Sequence, residues 1–524
     1  MFRTNLKIAW RNLIKDRQFT VLNVAGLSAG LACALLIFLW VQDELNFDKF
    51  LANNDRLYQL VEHQNSNGNI GISDGSSGLL SEAVAHQSPE VEYASPLAPP
   101  GWFQKFTLSV NDKNIKAAGQ YAGRDYFNIF SFKLLDGNKD NVLANKSSIV
   151  ISDELARKLF GTADHIIGRP VRFQHDTTFY VIGVFEKPPY HSSPQFAFVL
   201  SWDYFKTVQD WVTSWNNIGP LNFVLLKKGT DPNAFNRKIA GIITAHHGDT
   251  SRKAFATRFS TVYLHNNIGT NSAGSGRIEY VKMFSLIALF ILIIACINFM
   301  NLSTARASRR MKEVGIKKVV GAGRKQLILQ FLSESVLLTL FATVFAAVAA
   351  CLLLPAFNRI TGKEISLHID AQITLSFIGI ILFTGLLAGS YPALYLSGFK
   401  PLAILKGKLN TSFAEVVSRK GLVVFQFTLS SVLIVAVIII YQQIQFIQAV
   451  NPGFNKDNVI RIDAEGRIAG TEQTFANELK NIPGVVNASY TFANIIGHTF
   501  GDYGLDWTGK GPDEKVYFEV FGGG

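Results

Sequence analysis

The sequence predicts an integral membrane α-helical bundle of about five transmembrane helices with α+β extracytoplasmic domains. Three observations carry that expectation: five apolar blocks of near-spanning length, basic charge confined to alternate segments between them, and strand-type patterning in the long charge-balanced segment after the first block. With 48% hydrophobic residues and a mean hydropathy of +0.19 over 524 residues, the chain is too apolar for an ordinary soluble protein.

Residues 1–19 form a basic amphipathic start, with Arg3, Lys7, Arg11, Lys15 and Arg17 ahead of the first block. A signal peptide would begin similarly. However, the apolar run from Thr20 to Val41 exceeds a signal core, and Gln42-Asp43-Glu44-Leu45 follows in place of a small-x-small cleavage site. Gly30 stands where a lipidation box at Cys33 would need an aliphatic residue. The block therefore reads as an uncleaved span, 20–42. The later blocks are Met283 to Met300, Val336 to Pro355, Ile373 to Leu396 and Leu422 to Tyr441. Each approaches the roughly 20 residues needed to cross about 30 Å of hydrocarbon. They set spans at 281–301, 333–355, 373–396 and 421–442, with a short periplasmic loop at 356–372 and a cytoplasmic linker at 397–420.

Charge orients the spans. The net +11 arises almost wholly from three segments: 1–18 and 396–420 each carry five basic residues against one acidic, and 302–333 carries eight against one. Segment 43–280 holds 23 of each sign, and 442–524 has six basic and ten acidic residues. This alternation is the positive-inside pattern, which places the amino terminus in the cytoplasm and both long segments outside. Topology accounts for the basic excess, and a nucleic-acid partner is not expected. Cys33, Cys296 and Cys351 all fall within spans, so the exterior segments have no internal disulfide.

Segment 43–280 is expected to fold. Ser148 to Ile151 reads as a strand running into Ser152 as N-cap, then a helix with Asp153 and Glu154 in its first turn, ending at Gly161. Val171 to Gln174 and Phe179 to Phe185 read as a hairpin joined by His175-Asp176-Thr177-Thr178. Pro188-Pro189 and Ser192-Ser193-Pro194 interrupt the pattern before the apolar run Phe196 to Leu200. A weak repeat pairs Arg17-Gln18-Phe19-Thr20-Val21 with Arg419-Lys420 and Phe427-Thr428-Leu429 at the fifth span. Residues 443–524 then form a partial second periplasmic domain, and the chain is expected to be a fragment of a duplicated unit.

Between the second and third spans lies Arg309-Arg310-Met311-Lys312-Glu313-Val314-Gly315-Ile316-Lys317-Lys318-Val319-Val320-Gly321-Ala322-Gly323-Arg324-Lys325. Its spacing predicts a basic amphipathic helix from Arg309 to Val320, with Met311, Val314 and Gly315 near one face. Taken alone, such a helix suits anionic lipid and a docked protein equally. The stretch resembles the cytoplasmic loop of MacB- and FtsX-type ABC transporter permeases. That loop reads Glu, Val or Ile, Gly, Ile, Lys or Arg, then Leu or Val-Gly-Ala before basic residues. Ile297 to Ser303, Gly389 to Pro401, Asn5 to Leu13 and Ser152 to Gly161 are similar to the same family.

The resemblance implies a permease subunit, located in the inner membrane, that couples ATP hydrolysis by a separate cytoplasmic ABC ATPase to motion of periplasmic domains for efflux or extrusion. It also implies a homodimer or pseudo-dimer, with a periplasmic adaptor or hydrolase as a further partner. A second outcome of the same body is a signalling subunit that senses antimicrobial peptides or controls cell-wall hydrolases. Arg309, Glu313, Val314, Gly315, Ile316, Lys317, Gly321, Ala322 and Arg324 become the ATPase-coupling loop, with Glu313, Gly315 and Ile316 as foremost contacts. Gly315 costs roughly 1 kcal/mol in a helix relative to alanine, which a close backbone approach would justify.

No G-x-x-x-x-G-K-[ST] motif occurs in the sequence, and Gly321 to Lys325 lacks its Lys-Ser/Thr ending, so ATP is assigned to the partner and no cofactor to this chain. His165, His175, His191 and His246-His247 lack metal-ligand spacing, and Ser152 lacks a nucleophile-elbow context, so no catalytic or metal residue is expected. Asn298, Asn301 and Glu334 would be expensive facing lipid and are expected to bond between helices. Gly389 and Pro392, with Gly385, are expected to bend or tightly pack the fourth span.

Overall fold

The computed structural model describes residues 9–11, 13–66, 69–248, 250–265, 276–305, 307–367, 371–398 and 413–450, together with 458–462, 464, 468, 470–491, 500–502, 507–511 and 518–520. Five helices are long and apolar enough to cross a membrane. They are the first span Arg17–Leu45, the second Arg277–Ala305, the third Arg324–Thr361, the fourth Ala371–Gly398 and the fifth Phe413–Ala449.

Spans one to four pack as a bundle. The first presents Leu27, Leu31, Leu35 and Leu39, one helical turn apart, to Leu292 and Ala295 of the second span and Ala342, Ala346 and Ala350 of the third. Small residues allow this closeness: a Cβ on Gly30 would lie 2.6 Å from Ala295 Cβ. The fifth span touches the second, and none of its most apolar residues is buried.

The third span corrects the expectation that the helix stops at Pro355. It runs 38 residues, about 57 Å at 1.5 Å per residue, with Pro355 inside. Proline removes one backbone donor, but Leu354 and Phe357 on either side pack on the cluster of Leu35, Leu36, Leu39, Ala350 and Ile365, which offsets that loss. It stops instead at Gly362, whose φ of +66° suits glycine, and the Lys363 N–H donates to Asn358 O at 3.1 Å. The interval 356–372 therefore begins as helix, and the turn after it is tied down by Asn358, whose side chain donates to Ile365 O at 2.8 Å.

Residues between the first and second spans build one sheet from β1 Leu57–Ser66, β2 Asn69–Ser73, β3 Val91–Ala98, β4 Phe106–Val110, β5 Lys113–Ala117, β6 Gly119–Ala122, β7 Leu134–Asp136, β8 Ser148–Ser152, β9 Pro170–Phe173, β10 Thr177–Phe185, β11 Phe198–Ser201, β12 Leu221–Leu226 and β13 Arg252–Arg258. The order is β13-β1-β12-β3-β6-β11-β8-β10-β9-β4-β5, with β2 on β1 and β7 on β10. Pairs β6–β11 and β8–β10 are parallel, and the other pairs are antiparallel.

The local signals hold in β8 and the helix Asp153–Phe160: Ser152 Oγ accepts from the Leu155 N–H at 3.2 Å, and Gly161 closes the helix at φ +80°. The hairpin turn shifts from its expected place. Gln174 and His175 take φ of +53° and +64°, with the Asp176 N–H on Phe173 O at 3.1 Å, so Gln174 leaves the strand and Thr177 and Thr178 join the next one. The core lies on both faces of the sheet, with Phe179, Phe198 and Trp202 in one cluster and Tyr126, Phe130 and Phe223 in another.

Beyond the fifth span the described residues contain a helix, Glu472–Lys480, and a two-stranded pair, β14 Phe500–Asp502 with β15 Phe518–Val520. Much of the expected second domain at 443–524, and 399–412 of the expected linker, lies outside the described residues.

Candidate functional site: a basic helix and a charged joint

The basic segment folds as a helix, Ala307–Val319, at the end of the bundle opposite the sheet domain. Gly321, at φ +103°, ends it, with the Ala322 N–H donating to Lys317 O at 2.9 Å. The next helix starts at Arg324, where the Gly323 N–H reaches Gln326 Oε1 at 3.3 Å. The glycines here serve as a helix stop and restart.

One side of the helix is anchored. Val314 is buried among Leu327 and Phe331 of the third span and Ala393 and Leu396 of the fourth. Lys317 Nζ donates to Glu313 Oε1 at 2.7 Å and Gln330 Oε1 at 3.1 Å, and Lys318 Nζ donates to Ser397 O at 2.7 Å. The opposite side is open: Ile316 is 65% exposed and Val320 83%, with Val319, Glu313, Arg324 and Lys325 also exposed. Gly315, expected among the foremost contacts, is buried beside Val314. Arg309 belongs to the helix, and its side chain lies outside the described residues.

The intramembrane polar residues are buried or half-buried. Asn298 is half-buried, its Nδ2 3.1 Å from where a Cβ on Gly26 would stand, and Asn301 is half-buried as well. Glu334 is buried at 3% exposure. A Cβ on Gly389 would come within 2.7 Å of Ser335 Cβ, and Pro392 lies inside the fourth span. No metal-holding group of His, Cys, Asp and Glu occurs among the described residues.

Sequence reasoning missed a second cluster, at the sheet-domain end of the bundle. Asp43 and Glu44 close the first span; Lys363 Nζ lies 2.5 Å from Asp43 Oδ2 and 2.8 Å from Glu44 Oε1, and Arg277 of the second span lies 3.1 Å from Glu44 Oε1. Tyr190, between β10 and β11, donates its hydroxyl to Asp43, and Tyr263 stacks on Phe47 at 3.8 Å beneath the Arg277 guanidinium. Burial first, then the facing carboxylates, push both phenols well above their ordinary values. The available signal was a pair of carboxylates at a helix C-terminus with no basic residue in that last turn, where the helix dipole disfavours them.

A helical membrane bundle, a sheet domain held outside it and a basic helix docked on the far end define a permease-type membrane protein. Residues 20–242 match the MacB-like periplasmic core domain and residues 285–401 the FtsX-like permease C-terminal family. The chain belongs to the MacB/FtsX-type ABC permeases. It is 22% identical over 391 residues to the macrolide export ATP-binding/permease protein MacB of Pasteurella multocida, covering 74% of this chain and 57% of that one. To MacB of Salmonella typhimurium it is 24% identical over 411 residues, covering 75% and 59%. The chain thus spans somewhat over half the length of these relatives. Among solved structures it is similar to the periplasmic region of MacB from Actinobacillus actinomycetemcomitans, at 16% identity and TM-score 0.28, covering 40% of this chain and 90% of that one. It is likewise similar to the extracellular domain of the noncanonic ABC-type transporter YknZ from Gram-positive bacteria, at 15% identity and TM-score 0.28, covering 38% and 99%.

Proposed function

We propose that this chain is the permease of an ABC-type exporter or mechanotransmission complex, driven by a separate cytoplasmic ATPase that grips the helix Ala307–Val319. In this reading the chain lies in the inner membrane, with its amino terminus cytoplasmic, its sheet domain periplasmic, and the spans working as a homodimer or pseudo-dimer. The observation that carries the reading is the two-sidedness of the helix: Val314, Lys317 and Lys318 bind it to the third and fourth spans, while Ile316, Val319 and Val320 stay exposed beside Glu313. Lys317 and Lys318 are held by protein oxygens and are to that extent drawn away from lipid headgroups. A push on the exposed face would reach both spans directly. Reconstituting the chain with the stand-alone ABC ATPases of its own organism tests this reading: the turnover of one of them is expected to rise several-fold over the ATPase alone, and unchanged turnover with no association for any of them would contradict it.

A further inference from the structure

The charged cluster around Lys363 joins four separate parts of the chain. Asp43 and Glu44 belong to the first span, Arg277 to the second, Lys363 to the turn between the third and fourth, and Tyr190 and Tyr263 to the sheet domain. Glu44 is fully buried and the Asp43 and Lys363 side chains are 9% exposed, so water contributes little to their solvation. Two buried carboxylates side by side at a helix C-terminus oppose both each other and the dipole, and the Lys363 ammonium within reach of both offsets that opposition. The rings of Trp40 and Phe47, 5.8 and 5.4 Å from Lys363 Nζ, enclose it. The same turn faces the sheet domain a second way, since the charge of Glu364 acts on Lys187 and Tyr190.

We propose that Lys363 is the pin of a joint that fixes the sheet domain's stance on the bundle, so that displacement of the third and fourth spans reaches that domain through Lys363 and the Asp43–Glu44 pair. The covalent path from these spans to the sheet domain runs through the second span, whereas the pin links the spans' outer turn straight to the end of the first span, where Tyr190 of the sheet domain meets Asp43. Withdrawing Lys363 leaves an uncompensated buried carboxylate, so the contact is made or broken as a unit. The proposal deepens the coupling reading by naming where motion leaves the membrane, and its test needs no ATPase.

The test uses the full chain in lipid nanodiscs, with Cys33, Cys296 and Cys351 replaced by alanine and spin labels at Asp112→Cys, on the exposed β4–β5 turn, and Ile360→Cys, exposed on the third span. Pulsed electron paramagnetic resonance reads the distance distribution between the labels. Lys363→Met is expected to broaden it at least twofold, and Lys363→Arg to keep it narrow. Because Lys363→Met alone strands a charge, Asp43→Asn/Lys363→Met is the second variant. It leaves Glu44 paired with Arg277 and is expected to melt within a few degrees of the parent while remaining twofold broader. A distribution from the double variant that superimposes on the parent would make the cluster merely structural and overturn the proposal. An ATPase that failed to associate would count against the coupling reading and leave this result standing.

Discussion

The ammonium of Lys318 donates to the carbonyl of Ser397 at 2.7 Å, so the basic helix caps the end of the fourth span. A cation at a helix C-terminus contributes about 0.3–1 kcal/mol, too little to decide whether the bundle folds. Lys318→Met should therefore leave the melting temperature within a few degrees of wild type. If the contact passes on the pull of the proposed ATPase, the variant should bind the ATPase normally but stimulate its turnover several-fold less. Binding and turnover measured on one nanodisc preparation check both halves.

Opposite faces of this helix should respond differently. Val314→Ala opens a gap among Leu327, Phe331, Ala393 and Leu396 and should destabilise the bundle by about 1–3 kcal/mol. Ile316→Asp alters an exposed side chain and should cost under about 0.5 kcal/mol. Thermal unfolding in detergent distinguishes them, and equal losses would argue against the assignment of faces.

Asp48, in the neck after the first span, should make stability depend on pH. Burial raises its carboxyl from the usual 3.8 to about 6, although the Ser193 N–H donates to it at 2.7 Å and the Ser193 hydroxyl donates as well. A carboxyl raised in the folded state holds more protons there than in the unfolded chain between about pH 4 and 6. Stability should accordingly fall as pH rises through that window and level off above it, by up to about 3 kcal/mol. Asp48→Asn should abolish this component; asparagine also accepts the left-handed backbone at φ +60°. Unfolding curves for both proteins at pH 4, 5, 6 and 7 give the difference directly.

The pair Glu62–Arg252 binds β1 to β13 inside the sheet domain, at 2.8 and 2.9 Å, with Arg252 also donating to Trp215 O at 3.2 Å. Arg252→Met strands a fully buried carboxylate and should cost about 3–5 kcal/mol. Glu62→Leu/Arg252→Met removes both charges and should recover most of that loss. Melting temperatures of the two variants check the ordering.

What was legible in the sequence was what local physics decides. Ser152, Asp153, Glu154 and Gly161 announce a capped helix because each acts within one or two turns of backbone, and the apolar blocks announce spans by length alone. Charge counting needed no contacts either. The side on which Gly315 would be buried was not legible, because a helix pattern offers faces without saying which neighbour takes each one. Pro355 misled for a similar reason: packing on the first span outweighed one missing hydrogen bond. The Lys363 joint lay furthest out of reach, since its partners are 320 residues apart in the case of Asp43 and 233 between Glu44 and Arg277. Its trace in sequence was local and negative, two carboxylates where a helix end favours cations.

The central claim is that a separate ATPase grips the exposed face of the helix Ala307–Val319. A photoreactive amino acid at position 316, compared with one at Leu329 on the third span, tests it most directly in membranes holding chain and ATPase together. Ile316 and Leu329 are both exposed, at 65% and 57%. Illumination should cross-link the ATPase strongly from position 316 and at least tenfold less from 329. Adducts only to lipid from position 316, or equal ATPase yields from both positions, would contradict the account.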